Sequence, residues 1–125
     1  MKIELIDGLI HTAFRITYRG KSAWVANAVI DTGAAESVIS PDAVEALSIF
    51  PEAEDEIVTL IGVGGSEHHS YSKFIDQITL GGNSFDNVKV DFGQIDPSGK
   101  INALIGLDLL IAMGAIINLK KLTIE

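Results

Sequence analysis

The amino-acid sequence predicts an all-β fold with one or two short helices. Short runs of alternating or β-branched apolar residues recur along the chain, and glycine-containing turns such as Asp7-Gly8 and Gly81-Gly82 separate them. The 125 residues fit one domain, and 47% apolar with 21% charged residues is a globular composition. Residues 1–125 are therefore expected to form a single β-rich domain.

The first half of the chain is expected to contain four strands and one helix. The predicted strands are residues 2–6, 9–18, 23–30 and 38–39, with turns at residues 7–8 and 19–22. The third strand ends in the apolar residues Val29 and Ile30, as expected for a strand that is covered on both faces. Ser40 followed by Pro41 predicts a helix over residues 43–47, because serine is a favoured N-cap and proline a favoured first helical residue.

The second half of the chain is expected to contain five strands and a short helix. The predicted elements are strands at residues 56–61, 70–80, 85–92 and 103–105, a helix at 107–113 and a closing strand at 115–124. Gly114 is expected to end the helix, and Lys120 with Lys121 interrupts the closing strand. The glycine-rich segment 62–66 is expected to form a mobile hairpin tip.

Composition and charge exclude several classes of function. Because there is no cysteine, the chain has no disulfide, no cysteine-ligated zinc and no thiol nucleophile. A net charge of −8 argues against binding of nucleic acid or of an anionic membrane surface. The longest apolar run, residues 103–119, contains Asp108 and is too short to span a bilayer, and the N-terminus does not have the pattern of a signal peptide. A cytoplasmic location is expected, or an open one if the chain is a fragment of a longer protein.

Neither a metal nor a cofactor is expected. His68 and His69 are adjacent on a predicted strand, so their side chains point to opposite faces and do not converge on a metal ion. The glycine-rich segment has no Gly-Lys-Ser/Thr ending and no following helix, which a phosphate-binding loop requires. Trp24 and the phenylalanines are expected in the core rather than in a ligand platform.

The strongest candidate for a catalytic group is Asp31, which follows a predicted buried strand in the sequence Asp-Thr-Gly-Ala. The strand would hold the carboxylate rigidly, and Gly33 would let the backbone turn so that an amide N–H points at it. The same residues are also compatible with an ordinary strand end closed by an Asx-type turn. Taken alone, the motif therefore leaves both interpretations open.

A second motif, Leu104-Ile105-Gly106, lies near the C-terminus and runs into a predicted helix. The order of Asp-Thr-Gly-Ala, a glycine-tipped hairpin, this motif, a short helix and a closing strand resembles the single-domain aspartic proteases of the retropepsin type. The resemblance extends from about residue 23 to residue 119. It implies a closed β-barrel of the acid-protease fold, in which the chain forms one half of the active enzyme and hydrolyses peptide bonds.

The resemblance also implies roles for individual residues. Asp31 would be the catalytic aspartate, Thr32 would make hydroxyl contacts between two active-site loops, and Gly33 would present its amide and carbonyl near the substrate. Gly106 would pack against the active-site loop. The remaining implied site residues are Ala34 at the floor of the cleft, Leu104 and Ile105 in the supporting loop, and Gly62, Val63, Gly64 and Gly65 in a flap over the bound peptide.

Hydrolysis of this type requires two carboxylates that share one proton, whereas the sequence contains one Asp-Thr-Gly only. Asp108 begins a predicted helix and is not expected to face Asp31. The second carboxylate is therefore expected from a second copy of the chain across a two-fold axis, so the expected partners are the chain itself and a peptide or protein substrate. The alternative is a catalytically silent dimerisation or peptide-binding module with the same fold.

Overall fold

The computed structural model describes residues 1–61 and 67–125, which form ten strands, one 3-10 helix and one α-helix. The strands of the first half are β1 (Glu4–Ile6), β2 (Leu9–Tyr18), β3 (Lys21–Ile30), β4 (Val38–Ile39) and β5 (Glu56–Ile61). Those of the second half are β6 (Glu67–Leu80), β7 (Asn83–Phe92), β8 (Ala103–Ile105), β9 (Ile117–Asn118) and β10 (Thr123–Ile124). The 3-10 helix is Pro41–Leu47, and α1 is Leu107–Ala112.

Eight strands form one sheet in the order β1-β2-β3-β8-β4-β7-β6-β5. A further antiparallel pairing of β2 with β6 joins two strands within this series and closes β2, β3, β8, β4, β7 and β6 into a six-stranded barrel. Most pairings are antiparallel, but β3 pairs with β8, and β4 with β7, in parallel. The predicted all-β fold with two short helices is confirmed.

The predicted hairpin turns have the backbone geometry that their residues favour. Asp7 and Gly8 have φ angles of 51° and 78°, and Arg19 and Gly20 have angles of 49° and 82°. Two consecutive residues with positive φ make the turn that matches the right-handed twist of the flanking strands. The N-terminal hairpin and the turn that leads into β3 therefore follow from local sequence.

The predicted helix after Ser40 is a 3-10 helix that starts earlier than expected, at Pro41. Ser40 has the extended backbone of an N-cap residue, but within the described residues its side chain makes no cap hydrogen bond. Proline has no backbone N–H, so one of the usual donors at a helix start needs no partner. The proline rather than the serine side chain is thus the effective start signal here.

The predicted closing strand over residues 115–124 is wrong, because the chain reverses direction within it. Asn118 on β9 pairs with Thr123 on β10, Lys121 donates its backbone N–H to Asn118 Oδ1 at 3.0 Å, and Leu122 has a φ of 51°. Thr123 also forms a bridge with Lys2. The C-terminal strand is therefore shared between β9 and the N-terminal segment.

The barrel interior is filled by large aliphatic and aromatic side chains from nearly every strand. Fully buried examples are Ile16, Val25, Ile39, Ile75, Ile78, Leu80, Val90, Phe92, Ile105 and Ile124. Trp24, which was expected in the core, is 70% exposed, and Phe50 and Phe74 are exposed as well. The neighbouring Val25 is buried, and successive side chains on a strand point to opposite faces, so Trp24 lies on the outer surface.

A buried lysine ties the segment before β5 to the barrel. Lys73 is 5% exposed, and its Nζ lies 2.7 Å from Glu52 Oε1 and 2.6 Å from Asp55 Oδ2. Burial opposes the charge on Lys73, but its hydrogen bonds with Asp55 and Glu52 outweigh that effect and raise its pKa. A buried charge that is doubly paired in this way fixes the position of the chain leading into β5.

In the described part of the chain, the structure contains no helix that is both long enough and apolar enough to cross a membrane.

Candidate active site

Asp31 lies directly after β3, at the point where this strand leaves the barrel wall. The parallel register places Ile30 beside Ile105, and the Asp31 backbone N–H donates to the Ile105 carbonyl oxygen at 2.9 Å. The Asp31 side chain is partly exposed, while Ile30 is buried. A rigid central strand therefore presents a carboxylate at the edge of the core, where a ligand in solution reaches it.

The backbone folds back on the Asp31 carboxylate within two residues. The Gly33 N–H donates to Asp31 Oδ1 at 2.9 Å, and the Ala34 N–H donates to the Asp31 carbonyl oxygen at 3.2 Å. A Cβ on residue 33 would lie 3.2 Å from Asp31 Oδ1, which is closer than a side chain tolerates without adjustment. Thr32 and Gly33 are exposed at the tip of this loop, where they are free to meet another molecule.

The Leu104-Ile105-Gly106 motif supports this loop from the neighbouring strand. A Cβ on Gly106 would lie 2.8 Å from the Ala34 carbonyl oxygen and from the Glu36 backbone. The Leu107 N–H donates to the Ala34 oxygen at 2.8 Å. Only a glycine lets the start of α1 approach the Asp31 loop this closely.

Ser37 and Asp108 form a second connection, which the sequence interpretation missed. Asp108 Oδ1 accepts from the Ser37 hydroxyl at 2.7 Å, and Asp108 Oδ2 accepts from the Ser37 backbone N–H at 3.0 Å. The Ser37 Oγ in turn accepts from the Gly106 N–H at 2.9 Å. The signal in the sequence was the position of Asp108 two residues after Gly106, but its partner lies 71 residues away.

We expect Asp108→Ala to reduce both stability and the order of the Asp31 loop. Its removal leaves the buried Ser37 N–H without an acceptor, which costs about 1 to 3 kcal/mol in unfolding free energy. Chemical denaturation measures this loss. The matched control is Asp86→Ala, which removes an exposed carboxylate bonded to Gln77 and should change stability by less than about 0.5 kcal/mol. Equal stability of the two variants would contradict the supporting role of Asp108.

Glu36 is the acidic residue of the loop itself. Its hydrogen bond with the Asp91 carboxyl raises the pKa of Glu36, and the negative charge of Asp91, partial burial and the charge of Asp108 act in the same direction. The positive charge of Lys89 opposes them. The loop that begins at Asp31 therefore continues into a second group of carboxyl side chains.

Two sequence-based expectations have different outcomes in the described structure. Gly62, Val63, Gly64 and Gly65, expected to form the flap, lie outside the described residues. Within residues 1–61 and 67–125, no three histidine, aspartate or glutamate side chains lie in an arrangement that could hold a metal ion.

A closed β-barrel that presents an Asp-Thr-Gly loop beside a Leu-Ile-Gly support defines the retropepsin-like class of fold. The family model described as "Aspartyl protease" matches residues 15–109, which is most of the chain. The chain therefore belongs to the aspartyl protease family. A search of curated proteins found no match.

Solved structures of low sequence identity share the fold. A retropepsin-like aspartic protease from Rickettsia conorii matches with a TM-score of 0.68 and 20% identity, covering 98% of this chain and 86% of the other. EIAV protease, solved in complex with the inhibitor HBY-793, matches with a TM-score of 0.64 and 20% identity, covering 93% and 98%. The retroviral protease-like domain of Ddi1 from Leishmania major matches with a TM-score of 0.62 and 16% identity, covering 94% and 86%.

Proposed function

We propose that this protein is an aspartic endopeptidase whose active form is a homodimer, with one Asp31 from each copy in the catalytic dyad. The observation that carries the proposal is the partly exposed Asp31 carboxylate, held after a central strand by the Gly33 amide in a chain of the aspartyl protease family. The substrate would be an extended peptide that pairs as a strand with backbone groups of the cleft.

In the proposed mechanism the two Asp31 carboxyl groups share one proton. The ionised carboxylate accepts a proton from the attacking water, while the protonated carboxyl donates to the carbonyl oxygen of the scissile bond. The tetrahedral intermediate then collapses, the C–N bond breaks, and the leaving nitrogen takes up a proton from the dyad. The Gly33 N–H would keep one oxygen of each carboxylate oriented throughout.

The requirement for a second copy follows from the surroundings of the loop. Asp108 is the nearby acidic side chain of the supporting helix, but both of its oxygens already accept bonds from Ser37. It is therefore occupied in holding the loop and does not supply the second catalytic carboxylate. A two-fold related copy would bring a second Asp31 to the first while using the same surface twice.

Exposed apolar side chains near the supporting helix favour this association. Ile111 on α1, together with Ile116 and Leu119 around β9, is exposed in the single chain. The start of α1 is hydrogen-bonded to the Asp31 loop, so an interface that covers Ile111 lies on the element that supports the active site. Burial of such side chains between two copies would stabilise the dimer.

We expect specific activity to rise with protein concentration until the dimer is fully formed, as measured by peptide cleavage alongside sedimentation velocity. Each copy carries a net charge of −8, so added salt should strengthen the dimer by screening the repulsion. A chain that stays monomeric at all concentrations, with and without peptide, would contradict the proposal. A dimer that binds peptides without cleaving them would instead identify the catalytically silent module.

A further inference from the structure

A pocket of about 220 Å³ lies beside the Asp31 loop and is strongly acidic. Its lining residues are Glu36, Ser37, Lys89, Asp91 and Asp108. The single lysine is already engaged, because Lys89 Nζ donates to Glu56 Oε2 at 2.9 Å. Three carboxyl groups therefore face a small space in which the one basic side chain of the lining is paired elsewhere.

Asp91 gives this pocket a buried hydrogen-bond acceptor without a donor. The residue is 4% exposed, and its Oδ1 accepts from the Ser72 hydroxyl at 2.5 Å. Its Oδ2 is buried and has no hydrogen-bond donor among the residues that the structure describes. An unsatisfied buried carboxylate oxygen is costly, so a donor that enters the pocket gains a strong, charge-assisted bond.

Glu36 is the neighbour that faces Asp91, and it cannot serve as this donor while it is ionised. A hydrogen bond between the two carboxyl groups needs a proton, and this bond raises the pKa of Glu36. The pair therefore holds a proton when the solution is acidic and presents two negative charges once that proton is lost. A cation with N–H donors would take the place of the proton and satisfy both groups.

We infer that this pocket binds a basic side chain of the peptide substrate, with Glu36 and Asp91 receiving its guanidinium or ammonium group. The inference rests on the proposed function, because Glu36 and Ser37 continue the loop that begins at the catalytic Asp31. A planar guanidinium with several N–H donors suits two facing carboxylates best, so arginine should be preferred to lysine. Glu36 would then be a specificity-determining residue of the protease.

Binding to the uncleaving variant Asp31→Asn tests the inference without relying on catalysis. The probes are fluorescent octapeptides with one arginine at each position in turn in an uncharged background, each matched by the same peptide with neutral citrulline. At one position or more, arginine should bind about tenfold or more tightly than citrulline by fluorescence anisotropy. Adding Glu36→Gln should bring this ratio close to one, whereas Glu45→Gln, on the exposed surface of the 3-10 helix, should leave it unchanged.

The pH dependence provides a second readout. Asp91, Asp108 and Lys89 surround Glu36, and Lys89 is in turn paired with Glu56. Because the folded Glu36 keeps its proton to a higher pH than usual, proton and arginine compete, and the preference for arginine should grow as pH rises from acidic to neutral. This pH dependence should disappear in Glu36→Gln.

The outcomes separate this inference from the proposed function. Equal binding of arginine and citrulline peptides at every position, or no binding of either, overturns the basic-side-chain site. A preference that persists in Glu36→Gln also overturns it. If Asp31→Asn shows the preference but the native chain does not cleave the same peptides, the binding site stands and the proposed protease activity fails.

Discussion

Replacing Asp31 with asparagine is expected to abolish peptide cleavage while leaving the fold intact. Asparagine keeps an oxygen that accepts from the Gly33 N–H, so the loop geometry survives. It cannot accept a proton from water or share one with its counterpart, and both copies of the dimer lose the group at once. We expect kcat/KM to fall by about 10⁴-fold or more, because one side chain performs both the acid and the base step.

The control for Asp31→Asn is Asp42→Asn, which changes an exposed carboxylate on the 3-10 helix and should cleave peptides as the native chain does. Denaturation and sedimentation should show the same stability and the same assembly for all three proteins, or a tighter dimer in Asp31→Asn, where carboxylate repulsion is removed. Cleavage by Asp31→Asn at the native rate would disprove the assignment and leave the peptide-binding module as the function.

A shared proton has a further consequence for the native enzyme. Only the dimer with one proton on the pair carries both an acid and a base, so activity should be lost when the second proton binds and when the last one leaves. The plot of rate against pH should therefore be bell-shaped, with its maximum on the acidic side of neutral.

Gly106→Ala is expected to have the second largest effect, since it acts on the support of the catalytic loop. The new methyl group would lie 2.8 Å from backbone atoms of Ala34 and Glu36, which cannot rotate away as a flexible side chain does. Overpacking of this kind costs about 1 to 3 kcal/mol of unfolding free energy. A shift of the loop by about 1 Å would also reduce kcat about 100-fold.

Gly82→Ala is the matched control, because no described atom outside the adjacent residues lies within 4 Å of the position that its Cβ would take, and the φ of Gly82 is not positive. Thermal unfolding and peptide cleavage of the two variants separate loss of the loop support from a general effect of replacing glycine. Native stability and activity in Gly106→Ala would show that α1 does not need its close approach to the Asp31 loop.

The sequence by itself determined the elements whose causes are local. Asp7-Gly8 and Arg19-Gly20 specify tight hairpins, because the conformations that these turns require depend on the turn residues themselves. The apolar run that ends at Ile30 identified the central strand and so the rigid placement of Asp31 after it. The direction of the Gly33 amide toward Asp31 Oδ1 was predictable for the same reason, since the two residues are two positions apart.

Only the tertiary structure decided the contacts that depend on barrel closure. The bond of Ser37 to Asp108, the burial of Asp91 next to Glu36 and the reversal between β9 and β10 bring together residues from distant segments or divide a segment that looked continuous. The outward position of Trp24 depends on which face of β3 lines the barrel. Periodicity and turn chemistry act over a few residues, whereas these features require the parallel pairing of β3 with β8 and of β4 with β7, which no local pattern encodes.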